Sequence, residues 1–142
     1  MSFIYYSKYM KNSIIFMLVL SLFSCKKETV FKTNNEFSIK KGETVTLKDG
    51  KSVINLKLIE INESRCPKDV VCVRAGEAIV KFDIDINNKK YTNNELCIQC
   101  DSQIPIPSNI TLDTYNISLL AVNPYPESSN TMVEKSAIMV IK

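Results

Sequence analysis

The chain of 142 residues contains no His, and this absence removes several classes of chemistry. Without an imidazole there is no Ser–His–Asp triad, no His-ligated metal and no general base with a pKa near neutral pH. Trp is absent and Gly is scarce, so Gly42, Gly50 and Gly76 cannot form a phosphate-binding GxGxxG or GxxxxGK loop. We therefore predict a protein that is not an enzyme and that needs no cofactor or metal.

A basic surface is also missing once the first 24 residues are set aside. Those residues hold Lys8 and Lys11 and no acidic side chain. The remaining chain has 16 basic and 15 acidic side chains, a net charge of +1. Nucleic-acid binding needs a clear excess of positive charge. We therefore predict that nucleic acid is not a partner.

What the N-terminus does contain is an export pattern. The two lysines precede a short apolar run, Ile14-Ile15-Phe16-Met17-Leu18-Val19-Leu20. About ten apolar residues reach roughly 15 Å as a helix, half of a ~30 Å hydrocarbon core. The pattern therefore predicts a secretory signal and not a transmembrane helix.

The apolar run ends in Leu22-Phe23-Ser24-Cys25. This ending resembles the lipobox of bacterial lipoproteins, in which a peptidase cuts before the Cys and that Cys carries a diacylglyceryl group. The resemblance implies a signal peptide over residues 1–24, a lipidated Cys25, and anchoring to the outer membrane of the cell envelope. An ordinary secreted protein with a spare thiol at Cys25 is the alternative.

Residues 25–36 begin with the Cys whose lipidation the resemblance implies. The residues after it are polar with little periodicity, which predicts a flexible tether. The segment Lys26-Lys27-Glu28 resembles the charged tag after the lipid Cys of surface lipoproteins of Bacteroidota. A periplasm-facing anchor and a surface-facing anchor both remain open.

The rest of the chain has the composition of strands. From residue 25 onwards, Val and Ile number 24, whereas Leu and Ala number 11. β-branched side chains fit a pleated surface better than a helix. In residues 78–86 apolar and charged side chains alternate, which predicts a strand with one exposed face.

Turn signals separate several such runs. Asp49-Gly50 between residues 44–47 and 53–58 predicts a hairpin, and Asn87-Asn88-Lys89-Lys90 predicts a second turn. Further strands are predicted at about 91–98, 115–122 and 136–141, with a loop at 123–130 and an extended segment at 104–107 that lies at a sheet edge or in a loop. Seven to eight strands over residues 37–142 predict one antiparallel, immunoglobulin-like β-sandwich domain, with a small β-barrel as the alternative.

Four cysteines follow Cys25, and an exported chain favours disulfides. They are Cys66, Cys72, Cys97 and Cys100, which allow three connectivities. Pairing of Cys66 with Cys72 closes a short polar loop and is favoured. Pairing of Cys97 with Cys100 requires the chain to turn, since residues three apart in a strand are separated by about 10 Å.

Two functional alternatives to structural disulfides are open. Cys97-Ile98-Gln99-Cys100 has the spacing of a thiol–disulfide redox centre, although acidic neighbours oppose a low thiol pKa. A four-cysteine zinc site has the right number of ligands but an irregular spacing.

Residues 63–78 carry the most specific motif. They read Glu-Ser-Arg-Cys-Pro-Lys-Asp-Val-Val-Cys-Val-Arg-Ala-Gly-Glu-Ala. The segment resembles small uncharacterised lipoproteins of Bacteroidota, whose pattern is Ser-Arg-Cys-Pro, Val-x-Cys-Val, an aromatic residue and Ala-Gly-Glu-Ala. Arg74 replaces the aromatic residue. The resemblance implies a small envelope lipoprotein and supplies no activity.

The same segment is open to two interpretations. We interpret it first as a structural corner. The alternative is that Arg65, Lys68 and Arg74 form a basic, disulfide-closed loop that holds an anion or an acidic partner. Asp83 and Asp85 share a strand face, where paired carboxylates could do acid–base work or simply be solvated. We expect a membrane-anchored envelope lipoprotein with a structural role or a role in binding a protein or small ligand, with an envelope redox protein as the alternative.

Overall fold

The computed structural model describes residues 30–101, 103–130 and 133–142. Within these ranges the chain forms nine β-strands and no helix. The strands are β1 (Val30–Lys32), β2 (Glu36–Lys40), β3 (Thr44–Asp49), β4 (Ser52–Glu63), β5 (Ala78–Ile86), β6 (Lys89–Ile98), β7 (Asn109–Leu112), β8 (Tyr115–Asn123) and β9 (Ser136–Ile141).

The strands form two sheets that pack face to face. One has the order β1-β3-β4-β5-β6 and the other the order β2-β9-β8-β7. Each sheet keeps two free edges, so neither closes into a barrel. One hydrophobic cluster takes buried side chains from both sheets. The predicted β-sandwich is confirmed, and the barrel alternative is wrong.

Alternation along the strands builds this core. In β5 every second side chain is buried, including Val80, Phe82 and Ile84. From the opposite sheet, Ile117 and Met139 are fully buried in the same cluster. The charged residues between the buried positions of β5 lie on the outer face. The alternation predicted for residues 78–86 is therefore confirmed.

Both predicted turns are tight, and the second is shorter than predicted because Lys89 and Lys90 already belong to β6. Gly50 and Lys51 connect the paired residues Asp49 and Ser52, and Gly50 adopts a φ of +57°. Asn87 and Asn88 connect β5 to β6 with φ values of 52° and 71°. Asn tolerates positive φ better than other non-glycine residues, and paired positive φ values suit the right-handed twist of a hairpin.

The topology departs from the expectation in three respects. Strands β1, β2 and β7 were not predicted, because they are only three to five residues long. Strand β1 pairs with β3 in parallel, so the sandwich is not wholly antiparallel. Strands β3 to β6 form a meander within one sheet, and so do β7 to β9 in the other. The strand order is therefore not that of an immunoglobulin domain, whose chain crosses between sheets more often.

The predicted tether extends too far along the chain. Val30–Lys32 lies in a sheet and Glu36 begins β2, so residues 30–36 belong to the folded domain. The ring centroids of Phe31 and Phe37 are 5.8 Å apart, which fixes this segment against the core. The predicted signal peptide and Cys25 lie outside the described residues. Within the described ranges, no helix has the length and hydropathy needed to cross a membrane.

The two ends of the sandwich differ in the length of their connections. At one end, here called the basal end, pairs of residues connect the strands: 50–51, 87–88 and 113–114. The other end, the apical end, carries three long loops. We name them the Cys loop (residues 64–77), the Ile-Pro loop (residues 99–108) and the Tyr loop (residues 124–135). The long connections between strands therefore lie together at the apical end.

Gly76 closes the Cys loop onto β5, and its substitution tests this closure. A Cβ atom there would lie 2.0 Å from the Ser64 carbonyl oxygen, and the residue has a φ of +70°. Because backbone must move, we expect Gly76→Ala to lower the free energy of unfolding by about 2 to 5 kcal/mol, measured in urea.

Gly42→Ala is the matched control. Gly42 has a φ of +82°, but no atom lies within 4 Å of its added Cβ. We expect a loss of about 1 kcal/mol from backbone strain alone. Equal losses in the two variants would contradict the close approach at Gly76.

Candidate functional site: the apical loops

The Cys loop is closed at its base by backbone contacts and near its tip by a disulfide. The Ser64 amide donates to the Glu77 carbonyl at 2.9 Å, and the Cys66 amide donates to the Ala75 carbonyl at 2.7 Å. Cys66 and Cys72 form a disulfide with their Cα atoms 6.0 Å apart. The segment between them is therefore held as a small ring above a paired stem.

Arg65 connects this stem to the Tyr loop. Its Nε donates to Glu63 Oε1 at 2.7 Å, and its Nη2 donates to both Glu63 Oε2 and the Val122 carbonyl, the latter at 2.8 Å. Its guanidinium lies 4.4 Å from the centroid of the Tyr125 ring. Arg65 is only 6% exposed, and a charge can be buried this far because the fork of the guanidinium matches the carboxylate and the remaining contacts are polar or aromatic.

Two further residues of the Cys loop contact the Tyr loop. The Lys68 amide donates to the Pro126 carbonyl at 3.1 Å, and its ammonium group pairs with Glu127. The Ser128 amide donates to Asp69 Oδ1 at 3.0 Å. That donation from Ser128 lowers the pKa of the Asp69 carboxyl. The hydrogen bond and ion pair with Glu127 raise the pKa of Lys68.

The Ile-Pro loop contacts the Cys loop from the other side. Arg74 Nη2 lies 3.6 Å from Asp101 Oδ2. The second disulfide joins Cys97 to Cys100, with Cα atoms 5.9 Å apart, and Gln99 between them has a φ of 64°. The chain thus turns as this pairing requires. Both pairings are local, and the crossed connectivities are excluded.

Each of the three basic side chains of this segment faces a carboxylate. Arg65 is buried against Glu63, Lys68 faces Glu127, and Arg74 faces Asp101. The pairs of Lys68 and Arg74 connect the Cys loop to the Tyr loop and to the Ile-Pro loop, which agrees with a structural corner. Binding of an anion by these residues stays a prediction.

Apolar side chains lie at the tip of the Cys loop. Val70 is 47% exposed, whereas Val71 and Val73 are 102% and 104% exposed. Exposure this complete means that neither of the last two side chains touches the rest of the described chain. Sequence reasoning missed them because it weighed the charges in the loop and not the apolar residues. The available signal was three valines in a polar segment bounded by cysteines.

The acid–base alternative finds no support in the geometry. Asp83 Oδ1 accepts a hydrogen bond from the Asn93 amide at 2.9 Å, and Asp85 Oδ1 accepts one from the Asn88 amide at 2.8 Å. Each carboxylate thus caps a bulge or turn at the edge of β6. Across the described ranges, no group of three or more His, Cys, Asp or Glu side chains is placed to hold a metal ion.

The redox alternative also lacks the expected setting. Cys97 is 2% exposed and ends a β-strand, and Asp101 directly follows Cys100. Reactive thiols sit near positive charge or at a helix N-terminus and are partly exposed. The geometry therefore favours a structural role for this disulfide, which turns the chain into the Ile-Pro loop.

Comparisons with protein-family models, with curated proteins and with solved structures find nothing that matches this chain.

Substitution of Arg65 tests its role in joining the loops. Arg65→Met leaves the Glu63 carboxylate, which is 13% exposed, without its partner. We expect the free energy of unfolding in urea to fall by about 3 to 5 kcal/mol, the range for breaking a buried ion pair. Adding Glu63→Gln should recover part of this loss, because the unpaired charge is removed.

Arg74→Met is the control for Arg65, because Arg74 is 63% exposed and its ion pair is screened by water. We expect a change of about 0 to 1 kcal/mol. A similar loss in the two variants would contradict the central role of Arg65.

The contact between Asp69 and Ser128 predicts a pH dependence. The folded pKa of Asp69 lies below its ordinary value of 3.8, so the contact contributes stability above that value and loses it as the pH falls through the folded pKa. We expect the Ser128 amide resonance to shift in ¹H–¹⁵N NMR spectra with a midpoint below pH 3.8. Asp69→Asn should abolish this titration, and a midpoint above that value would overturn the assignment.

Proposed function

We propose that the protein is a lipid-anchored lipoprotein of the cell envelope whose β-sandwich domain binds a protein partner through its apical loops. The anchor is supported by the basic and apolar N-terminal segment and by the lipobox ending at Cys25. Two disulfides fit an oxidising compartment. The resemblance of residues 63–78 to small lipoproteins of Bacteroidota supports an outer-membrane location.

The observation that carries the binding proposal is the position of the disulfides. Both lie at the apical end, and they join residues only six and three positions apart in sequence. Closing such short rings stabilises a fold by about 2 kcal/mol each, less than bridging distant segments would. Their main effect is therefore to fix the shape of two loops. Fixed loops on a rigid scaffold bind at a lower entropic cost.

The anchor is tested by lipid labelling of the full chain in the cell that produces it. We expect an alkyne analogue of palmitate to label the wild type and the control Lys26→Ser. Cys25→Ser should lose the label and leave the membrane fraction, since acyl chains supply the membrane affinity. A Cys25→Ser variant that still fractionates with the membrane would overturn the lipid anchor.

Apical binding is tested by site-specific photo-crosslinking in the native envelope. One full-chain variant carries p-benzoylphenylalanine at Ser129, an exposed residue of the Tyr loop, and the control carries it at Lys51, an exposed residue of a basal turn. We expect a discrete protein adduct from position 129 and none from position 51. Adducts from position 51 alone would contradict an apical binding surface.

A further inference from the structure

Val71 and Val73 form the most exposed apolar feature of the domain. Both side chains are completely exposed, and they flank Cys72 of the disulfide ring. We propose that these two valines, here called the valine knob, insert into an apolar pocket of a folded partner protein. The proposal rests on the proposed function and names the residues and the partner chemistry that it requires.

The knob is held rigidly by the contacts beneath it. The disulfide closes the ring, Arg65 ties the stem to the Val122 carbonyl, and Asp69 accepts from the Ser128 amide. These contacts prevent the two valines from folding back onto the sandwich. Because the loop is already ordered, little conformational entropy is lost when a partner covers it. A rigid apolar side chain that becomes buried at an interface is a typical hot spot.

The shape of the knob argues against a second copy as the occupant. Even together with Val70, the knob offers at most a few hundred Å² of apolar surface, whereas a stable interface buries about 800 Å² on each partner. A knob is also convex, and two identical convex surfaces make poor contact. A concave pocket in a different protein can cover the same side chains on several sides.

The charges around the knob argue against a lipid surface. The nearby cations Lys68 and Arg74 face Glu127 and Asp101, and Asp69 adds a further negative charge. Loops that insert into membranes combine large apolar or aromatic side chains with unpaired basic residues. Valine at a site of balanced charge fits a protein pocket better.

The backbone beside the knob adds a polar requirement. Among the described residues, the amides of Val71, Cys72 and Val73 donate to no other part of the chain. They are exposed, so water can satisfy them in the free protein. A pocket that removes this water must offer acceptors of its own, because burying these donors without partners would weaken the binding. The partner site is therefore apolar at its base and carries hydrogen-bond acceptors at its rim.

The experiment places p-benzoylphenylalanine at position 71 of the full chain in the native envelope. We expect one protein adduct with the mass of a complex of two different chains. Purified wild-type protein added in excess should suppress the adduct. The double variant Val71→Asp, Val73→Asp should compete about tenfold more weakly or worse, as expected for the loss of a hot spot.

Val53→Asp is the matched competitor, because Val53 is 38% exposed and lies on β4 next to the basal turn at residues 50–51. It should compete as well as the wild type. The thermal unfolding midpoint of the double variant should equal that of the wild type, since the two valines make no contacts in the described fold. Equal competition by the double variant and the wild type would contradict the proposal.

Three other outcomes would also overturn it. An adduct with the mass of two copies of this chain would assign the knob to self-association, and a purely lipid adduct would assign it to a membrane. An adduct from Ser129 without one from position 71 would leave apical binding intact while excluding the knob. Absence of adducts from both positions would instead defeat the proposed function itself.

Discussion

The apical end depends on the burial of one charged side chain. Arg65 is placed by the Glu63 carboxylate, the Val122 carbonyl and the Tyr125 ring, which belong to two strand ends and a loop. A buried guanidinium tolerates little displacement, because any lost contact leaves a charge without compensation. The Cys loop and the Tyr loop therefore keep a fixed relation, and Lys68 and Asp69 add exposed contacts to the same pair of loops.

The two disulfides act within this frame and not across the sandwich. Neither connects one sheet to the other, and the core of branched aliphatic side chains and Phe82 holds the sheets together without them. The sandwich and the apical end are thus stabilised by separate means: burial of apolar surface for the sandwich, and local crosslinks with charge pairs for the loops. Changes at the tip can therefore leave the core intact.

Sequence patterns with a strong local cause predicted much of the fold. The alternation in β5 and the positive-φ turns at Gly50 and Asn87-Asn88 follow from rules that act within a few residues. The short strands β1, β2 and β7 could not be found in this way, because their pairing depends on distant partners. The contacts of Arg65 with Val122 and of Lys68 with Glu127 could not be predicted for the same reason, because these partners lie far along the chain.

Strand β1 has a mechanical consequence for a chain that is held at its N-terminus. Only three of its residues pair with β3, and Phe31 is only partly buried. Under tension this strand would peel away first, while the five pairs between β2 and β9 hold. The six residues from position 30 to 35 span at most roughly 20 Å when fully extended. Detachment of the first strand would therefore lengthen the N-terminal segment while the rest of the sandwich stays folded.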